Sequence, residues 1–185
     1  HERIEFPSID GTVLAGTLSL PRWNRQPVPA VVVVHGPGPR TRNDLRGDVR
    51  QLVWEGLGVL AYDKRGVGES RGTYPQIRGA DPETVLRILA EDAAAAFDRL
   101  PQEPAVHPPR VGFFGPSQAG WIIPLAAERL NPAPRFHILL SAPAVSTGVE
   151  QFYSDLTGDG NRAPQLTDPV EIQNQVAAYS GPAGF

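Results

Sequence analysis

The stretch Ala30-Val31-Val32-Val33-Val34 narrows the possible folds more than any other segment of this chain. Apolar residues in succession, mostly β-branched and with no polar alternation, fit a strand covered on both faces, as in a parallel sheet. Parallel strands need crossovers, and helical patterns stand where crossovers should be. A helical pattern begins near Asp44 and places Leu45, Val49, Leu52 and Val53 on one face before Gly56 and Gly58, and a strand over Val59-Tyr62 follows. Asp81-Pro82-Glu83 reads as a cap, a first-turn proline and a first-turn acid. Behind it Val85, Leu89, Ala93, Ala96, Phe97 and Leu100 share one helical face as far as Pro101. A short strand over Val111-Phe114, a helix over Gln118-Leu130 kinked at Pro124, and a strand over Phe136-Leu140 complete the series. At the front, Arg3-Phe6, the turn signal Asp10-Gly11, and Val13 to Leu20 predict an antiparallel hairpin. The expected fold class is α/β: a three-layer, mostly parallel sheet with an N-terminal antiparallel hairpin and its site at the carboxyl ends of the strands. Those ends fall after Val34, Tyr62, Phe114 and Leu140.

The pattern changes at residue 143. Residues 1–142 read as the core, and 143–185 as a polar, turn-rich, cap-like or connecting excursion with one weak helix over Pro169-Tyr179. Asp155-Leu156-Thr157-Gly158-Asp159-Gly160 lacks the acidic spacing of a calcium loop and reads as a turn. A second turn signature, Gly181 to Phe185, closes the sequence.

Composition removes several function classes. The formal net charge is -3, so no cationic field invites nucleic acid or an anionic membrane. The chain has no cysteine, which removes thiol chemistry and thiolate metal sites, and no metal is expected. No apolar run approaches a membrane span. The compartment stays open between cytoplasm and export. Of the 17 basic residues, only Lys64 is a lysine, a bias from which no function is drawn.

Gly115-Pro116-Ser117-Gln118-Ala119-Gly120 lies between a strand and a helix, the context in which G-x-S-x-(G/A) lifts a serine hydroxyl above a sheet. The positions two before and two after must be small, and Gly115 and Ala119 are. The helix behind the serine directs free N–H groups at the point where an oxyanion would form. Two glycine-rich loops follow other strands: His35-Gly36-Pro37-Gly38-Pro39, and Asp63-Lys64-Arg65-Gly66-Val67-Gly68-Glu69-Ser70. Neither carries a third glycine or a G-K-[ST] sequence, so a nucleotide site fails on donor count and no cofactor is expected.

Together these segments resemble the HGxG, DxRGxGxS and elbow motifs of the α/β-hydrolase superfamily, and are similar to bacterial serine esterases and acyl-peptidase-like hydrolases over residues 4 to 145. The resemblance implies Ser117 as nucleophile toward a small acyl substrate. One oxyanion N–H would come from Gln118 and the other from the loop after the third strand. Pro37 has no N–H, so Gly38 is the expected donor. His35 and Gly36 support that loop, Gly120 supports the elbow, and Asp63 with Arg65 resembles a turn clamp. In such hydrolases the acid and the histidine base follow the serine on two further strand–helix units. Here His137 and His107 fall at the wrong ends of their strands, and no acid in 143–185 follows a strand. An α/β-hydrolase sheet incomplete at its C-terminal side is therefore expected. A second chain or a C-terminal portion would supply the base and cover the Phe136-Leu140 strand, which would otherwise be a naked edge. The competing reading is a non-catalytic binding module or inactive fragment of the same fold.

Overall fold

The computed structural model describes residues 1–23, 27–76, 81–158 and 163–179. They form two compact units, His1–Ala142 and Pro143–Phe185. In the first, the element order is β1 (Glu2–Pro7), β2 (Val13–Ser19), β3 (Val28–Val33), α1 (Arg46–Trp54), β4 (Gly58–Tyr62), α2 (Pro82–Arg99), β5 (Val106–Pro116), α3 (Ala119–Ala127) and β6 (His137–Leu140). The strands make one six-stranded sheet in the order β1-β2-β4-β3-β5-β6. The β1–β2 and β2–β4 pairs are antiparallel, whereas β3–β4, β3–β5 and β5–β6 are parallel. The last four strands therefore deliver their carboxyl ends to one rim.

The unalternated apolar run on β3 is buried on both sides, and the period of two divides it between two cores. Val32 and Val34 join Leu60, Tyr62 and Phe113 against Val85, Leu89, Phe97, Ile122 and Ile123 of α2 and α3. Val31 and Val33 join Val59, Ala61 and Phe114 against Leu52 and the rest of the apolar face of α1. Each fully buried valine or leucine contributes roughly 1.5–3 kcal/mol, so both helical layers are held by the same five-residue run. At the start of α2 the Asp81 carboxylate accepts a hydrogen bond from Thr84 N–H at 3.3 Å, with Pro82 in the first turn. Pro101 does not stop the chain's winding at once, because a 3₁₀ turn carries Leu100–Gln102 beyond α2.

Three expectations need correction. The fifth strand is 11 residues long and not four, because Pro108 and Pro109 fall in a register shift between Val28 and Ala30 of β3. Prolines are tolerated at such an irregularity, where ladder bonds are already broken. The α1 helix starts at Arg46, two residues beyond Asp44, whose carboxylate instead accepts from Thr41 N–H at 2.6 Å. The Asp155-Leu156-Thr157 segment is not a turn but the end of a helix; the rest of that motif at 159–160, and the signature at Gly181 to Phe185, lie outside the described residues.

The second unit contains that helix, α4 (Thr147–Thr157), and α5 (Pro169–Tyr179). Ser146 caps α4 by accepting from Val149 N–H at 3.3 Å, and Gly158 ends it at φ 77°. The rings of Phe152 and Tyr179 stack at 4.4 Å between the two helices. No helix among the described residues is long and apolar enough to cross a membrane.

Candidate active site

The strand-to-helix turn after β5 holds Ser117 at φ 52°. A non-glycine residue there stores roughly 1–3 kcal/mol of strain, which the surroundings must hold. They do so by packing and by hydrogen bonds. A side chain at Gly115 would collide with Ala119 and stand 2.7 Å from the carbonyl oxygen of Val34, so only glycine lets β5 pass beneath the turn. Ser117 N–H donates to Leu140 O at 2.9 Å, and Ser117 O accepts from Gly120 N–H at 2.8 Å. Ser117 itself is exposed, while Gly115, Gln118 and Ala119 are buried. The Gln118 and Ala119 N–H groups open the first turn of α3 and have no acceptor within the helix.

The loop after β3 lies against this turn. A methyl group on Gly36 would rest 3.9 Å from Ser117 Cβ. His35 is buried, and its Nε2 meets Thr41 O at 3.1 Å while the ring packs edge-on to Tyr62 at 5.8 Å. Burial, and then the neighbouring Lys64 charge, push the His35 pKa down to about 4, so the imidazole is neutral at pH 7. The ring thus links the start of the loop to Thr41 further along it. Gly38 sits at φ 86°, and its backbone hydrogen-bonds the Tyr74 side chain; that bond lowers the phenol pKa, while burial, the larger effect, raises it.

The loop after β4 is fixed by carboxylates. Asp63 accepts from Arg42 N–H at 2.8 Å and from Glu69 N–H at 2.9 Å, with Arg42 Nη1 at 3.4 Å. Gly68, at φ 57°, leaves room for that carboxylate. Arg65 donates two bonds to Asp92, at 2.6 and 2.8 Å, one to Asp10 at 2.8 Å and one to Ser8 Oγ at 3.3 Å. The Asp92 bonds chiefly raise the Arg65 pKa, and the Arg65 bond holds the Asp10 carboxyl down at about 2. The two clamp residues do not pair with each other: Asp63 ties its own loop to Arg42 in the loop after β3, and Arg65 ties it to the β1–β2 turn and to α2.

Between the two loops lies a residue to which the sequence assigned no role. Lys64 is 2% exposed, and its ammonium donates to Gly36 O at 2.6 Å, Gly38 O at 3.1 Å and Gln118 Oε1 at 3.3 Å. It also stands 5.5 Å from the Tyr74 ring centre. Its being the only lysine in the chain was the one available signal.

No histidine is brought to Ser117. His137 pairs with Phe113 in the β5–β6 register, so it enters β6 while the serine leaves β5, on the order of 10 Å further along the strands. His107 lies ten positions before the serine on β5, and His1 bonds Ser19 Oγ at 2.7 Å beside β2. Strand β6 is the sheet's edge, and Leu139 and Leu140 are 39% and 43% exposed.

Mixed six-stranded sheet, helices on both faces and a strained serine turn over the common rim define an α/β hydrolase fold. The sequence profile of the serine aminopeptidase S33 family matches residues 25–170, and the chain belongs to that family. It is 32% identical over 120 residues to a thiohydrolase of Aspergillus aculeatus, covering 65% of this chain and 35% of that protein. It is 29% identical over 154 residues to a polyketide transferase of Penicillium crustosum, covering 83% and 47%. The chain therefore spans less than half the length of these relatives. Among solved structures, an esterase of Pyrococcus furiosus superposes with a TM-score of 0.65 at 19% identity, over 98% of this chain and 62% of that one. An α/β hydrolase of a Penicillium species superposes at 0.63 with 24% identity, over 84% and 50%. At those identities the structural likeness speaks for the fold. Family and relatives together place this chain in the α/β-hydrolase superfamily.

Proposed function

We propose that the chain carries the nucleophile and oxyanion donors of a serine hydrolase acting on carboxylic esters or related acyl compounds. The observation that supports this reading above all is the exposed Ser117 at positive φ, set between a strand end and a helix N-terminus. The Ser117 hydroxyl oxygen attacks the acyl carbon and passes its proton to a base. The carbonyl oxygen, now an oxyanion, is held by Gln118 N–H and by Gly38 N–H, which exchanges Tyr74 for the substrate oxygen. The leaving alcohol departs with the proton, and water then releases the acid from the acyl-enzyme.

The base is a histidine outside residues 1–185, oriented by an acid also outside them. The poor placement of all four histidines of this chain and its coverage of 35% and 47% of the curated relatives both favour this. The portion that brings the base, as a continuation of the chain or as a second polypeptide, also covers β6.

A fluorophosphonate probe on the full-length protein tests the reading. Labelling at Ser117, abolished by Ser117→Ala without loss of fold, is expected, whereas a folded protein that never labels there would leave only a non-catalytic module. Turnover of nitrophenyl esters against aminoacyl nitroanilides then separates ester from peptide substrates.

A further inference from the structure

We propose that Lys64 is a positioning residue of this site, whose three ammonium N–H groups tie the carbonyls of Gly36 and Gly38 to the side chain of Gln118 and so hold the two oxyanion-donor segments together. The inference rests on the serine-hydrolase reading and deepens it.

The geometry matches donors to acceptors one for one. An ammonium offers three N–H groups in a compact tetrahedral head, and the three oxygens at 2.6, 3.1 and 3.3 Å come from two different loops. All three oxygens converge on one nitrogen, which suits the point-like head of a lysine better than the planar fork of the arginines this chain otherwise uses. None of the three acceptors is a carboxylate. A buried lysine in a merely structural place would be expected to pair with one, as Arg65 does with Asp92.

The prolines of the loop support the same role. Gly36 O and Gly38 O belong to the peptide bonds whose nitrogens are Pro37 and Pro39. Those nitrogens carry no hydrogen, so turning both carbonyls inward toward Lys64 turns no donor away from anything. The loop keeps Gly38 N–H as its donor beyond Gly36. Where that single N–H stands relative to Gln118 N–H depends on what holds the loop, and Lys64 is the link that reaches both.

The link is sensitive to protonation. A neutral amine has two N–H groups and a lone pair, so one of the three oxygens would face the lone pair. The groups that face Lys64 are the Arg40 guanidinium and His35 imidazole of the first loop and the Tyr74 ring of the second. Burial first, and Arg40 second, lower the Lys64 pKa to about 7. The charged, three-bonded form therefore prevails below about pH 7 and is lost as the pH rises through it.

The test compares kcat and KM for a nitrophenyl ester, from about pH 5.5 to about 9, in the full-length wild-type protein and its Lys64→Met variant. Losing alignment of one oxyanion donor predicts a fall in kcat of about tenfold or more with KM within about twofold. It also predicts that a descending limb near pH 7 in the wild type disappears in the variant. A variant kcat within about twofold of wild type, or a descending limb that survives the substitution, overturns the proposal. Should Lys64→Met fail to fold, Gln118→Leu, which keeps the Gln118 N–H and removes the side-chain acceptor of Lys64, takes its place, read by the rate of fluorophosphonate labelling at Ser117. A rate about tenfold lower supports the link, and one within about twofold of wild type overturns the proposal. Absence of wild-type labelling at every pH strikes the serine-hydrolase reading itself, an outcome distinct from both.

Discussion

The two loops that flank Ser117 are secured in opposite ways. The one after β4 is locked by opposite charges: Asp63 gathers two backbone N–H groups and Arg42, and Arg65 sits between Asp92 and Asp10. The one after β3 shares that Arg42–Asp63 pair at its far end, but its arm at Gly36 and Gly38 beside Ser117 is held by a neutral histidine and by a buried ammonium that meets only neutral oxygens. Paired charges inside a protein are expensive to separate, so the loop after β4 is a fixed wall. An unpaired ammonium can surrender its proton, so the arm at Gly36 and Gly38 can respond to pH.

The strongest way to break this contrast is to remove one member of each device and compare unfolding in denaturant. Asp92→Ala leaves Arg65 buried without its main partner and should cost about 3–5 kcal/mol. Lys64→Met removes a charge that burial disfavours but leaves three oxygens without their donor, and should cost less, about 1–2 kcal/mol. Equal losses would erase the distinction. The next effect is acid sensitivity. His35 has its folded pKa lowered from 6.5 to about 4, so the unfolded chain binds the extra proton first. The stability that this group contributes is fully present above about pH 6.5 and drains away as the pH falls toward 4, by roughly 3 kcal/mol in all. His35→Gln should flatten that slope in a pH series of melts; an unchanged slope would place the acid sensitivity elsewhere. A smaller effect belongs to the clamped loop: Gly68→Ala forces a methyl group against the Asp63 carboxylate at φ 57° and should cost about 2 kcal/mol, independent of pH between about 6 and 8. A pH-dependent loss would mean that this wall also titrates.

Much of this was legible in the sequence, for local reasons. The β3 run, the α2 cap at Asp81 and the three loop motifs each carry their signal within a few residues, and the structure places those segments on one rim. What escaped depended on partners far along the chain. The extra length of β5 needed the bulge opposite β3 to absorb Pro108 and Pro109. The α4 helix has a helical row in Val149, Phe152 and Leu156, hidden by Gly148 within its first turn and the turn formers around it. Lys64 looked like a variable position inside a motif. Its meaning lies in oxygens 26, 28 and 54 residues away, at distances that only folding sets.

The edge position of β6 turns two of its residues into reporters. Phe136 O accepts from Phe113 N–H, and Leu140 O from Ser117 N–H, so the even-numbered residues of this strand face β5. Alternation then turns the amides of His137 and Leu139 outward. Proton exchange at just those two amides is a local gauge of whether a seventh strand docks: fast in residues 1–185 alone, slow once a neighbour zips onto the sheet.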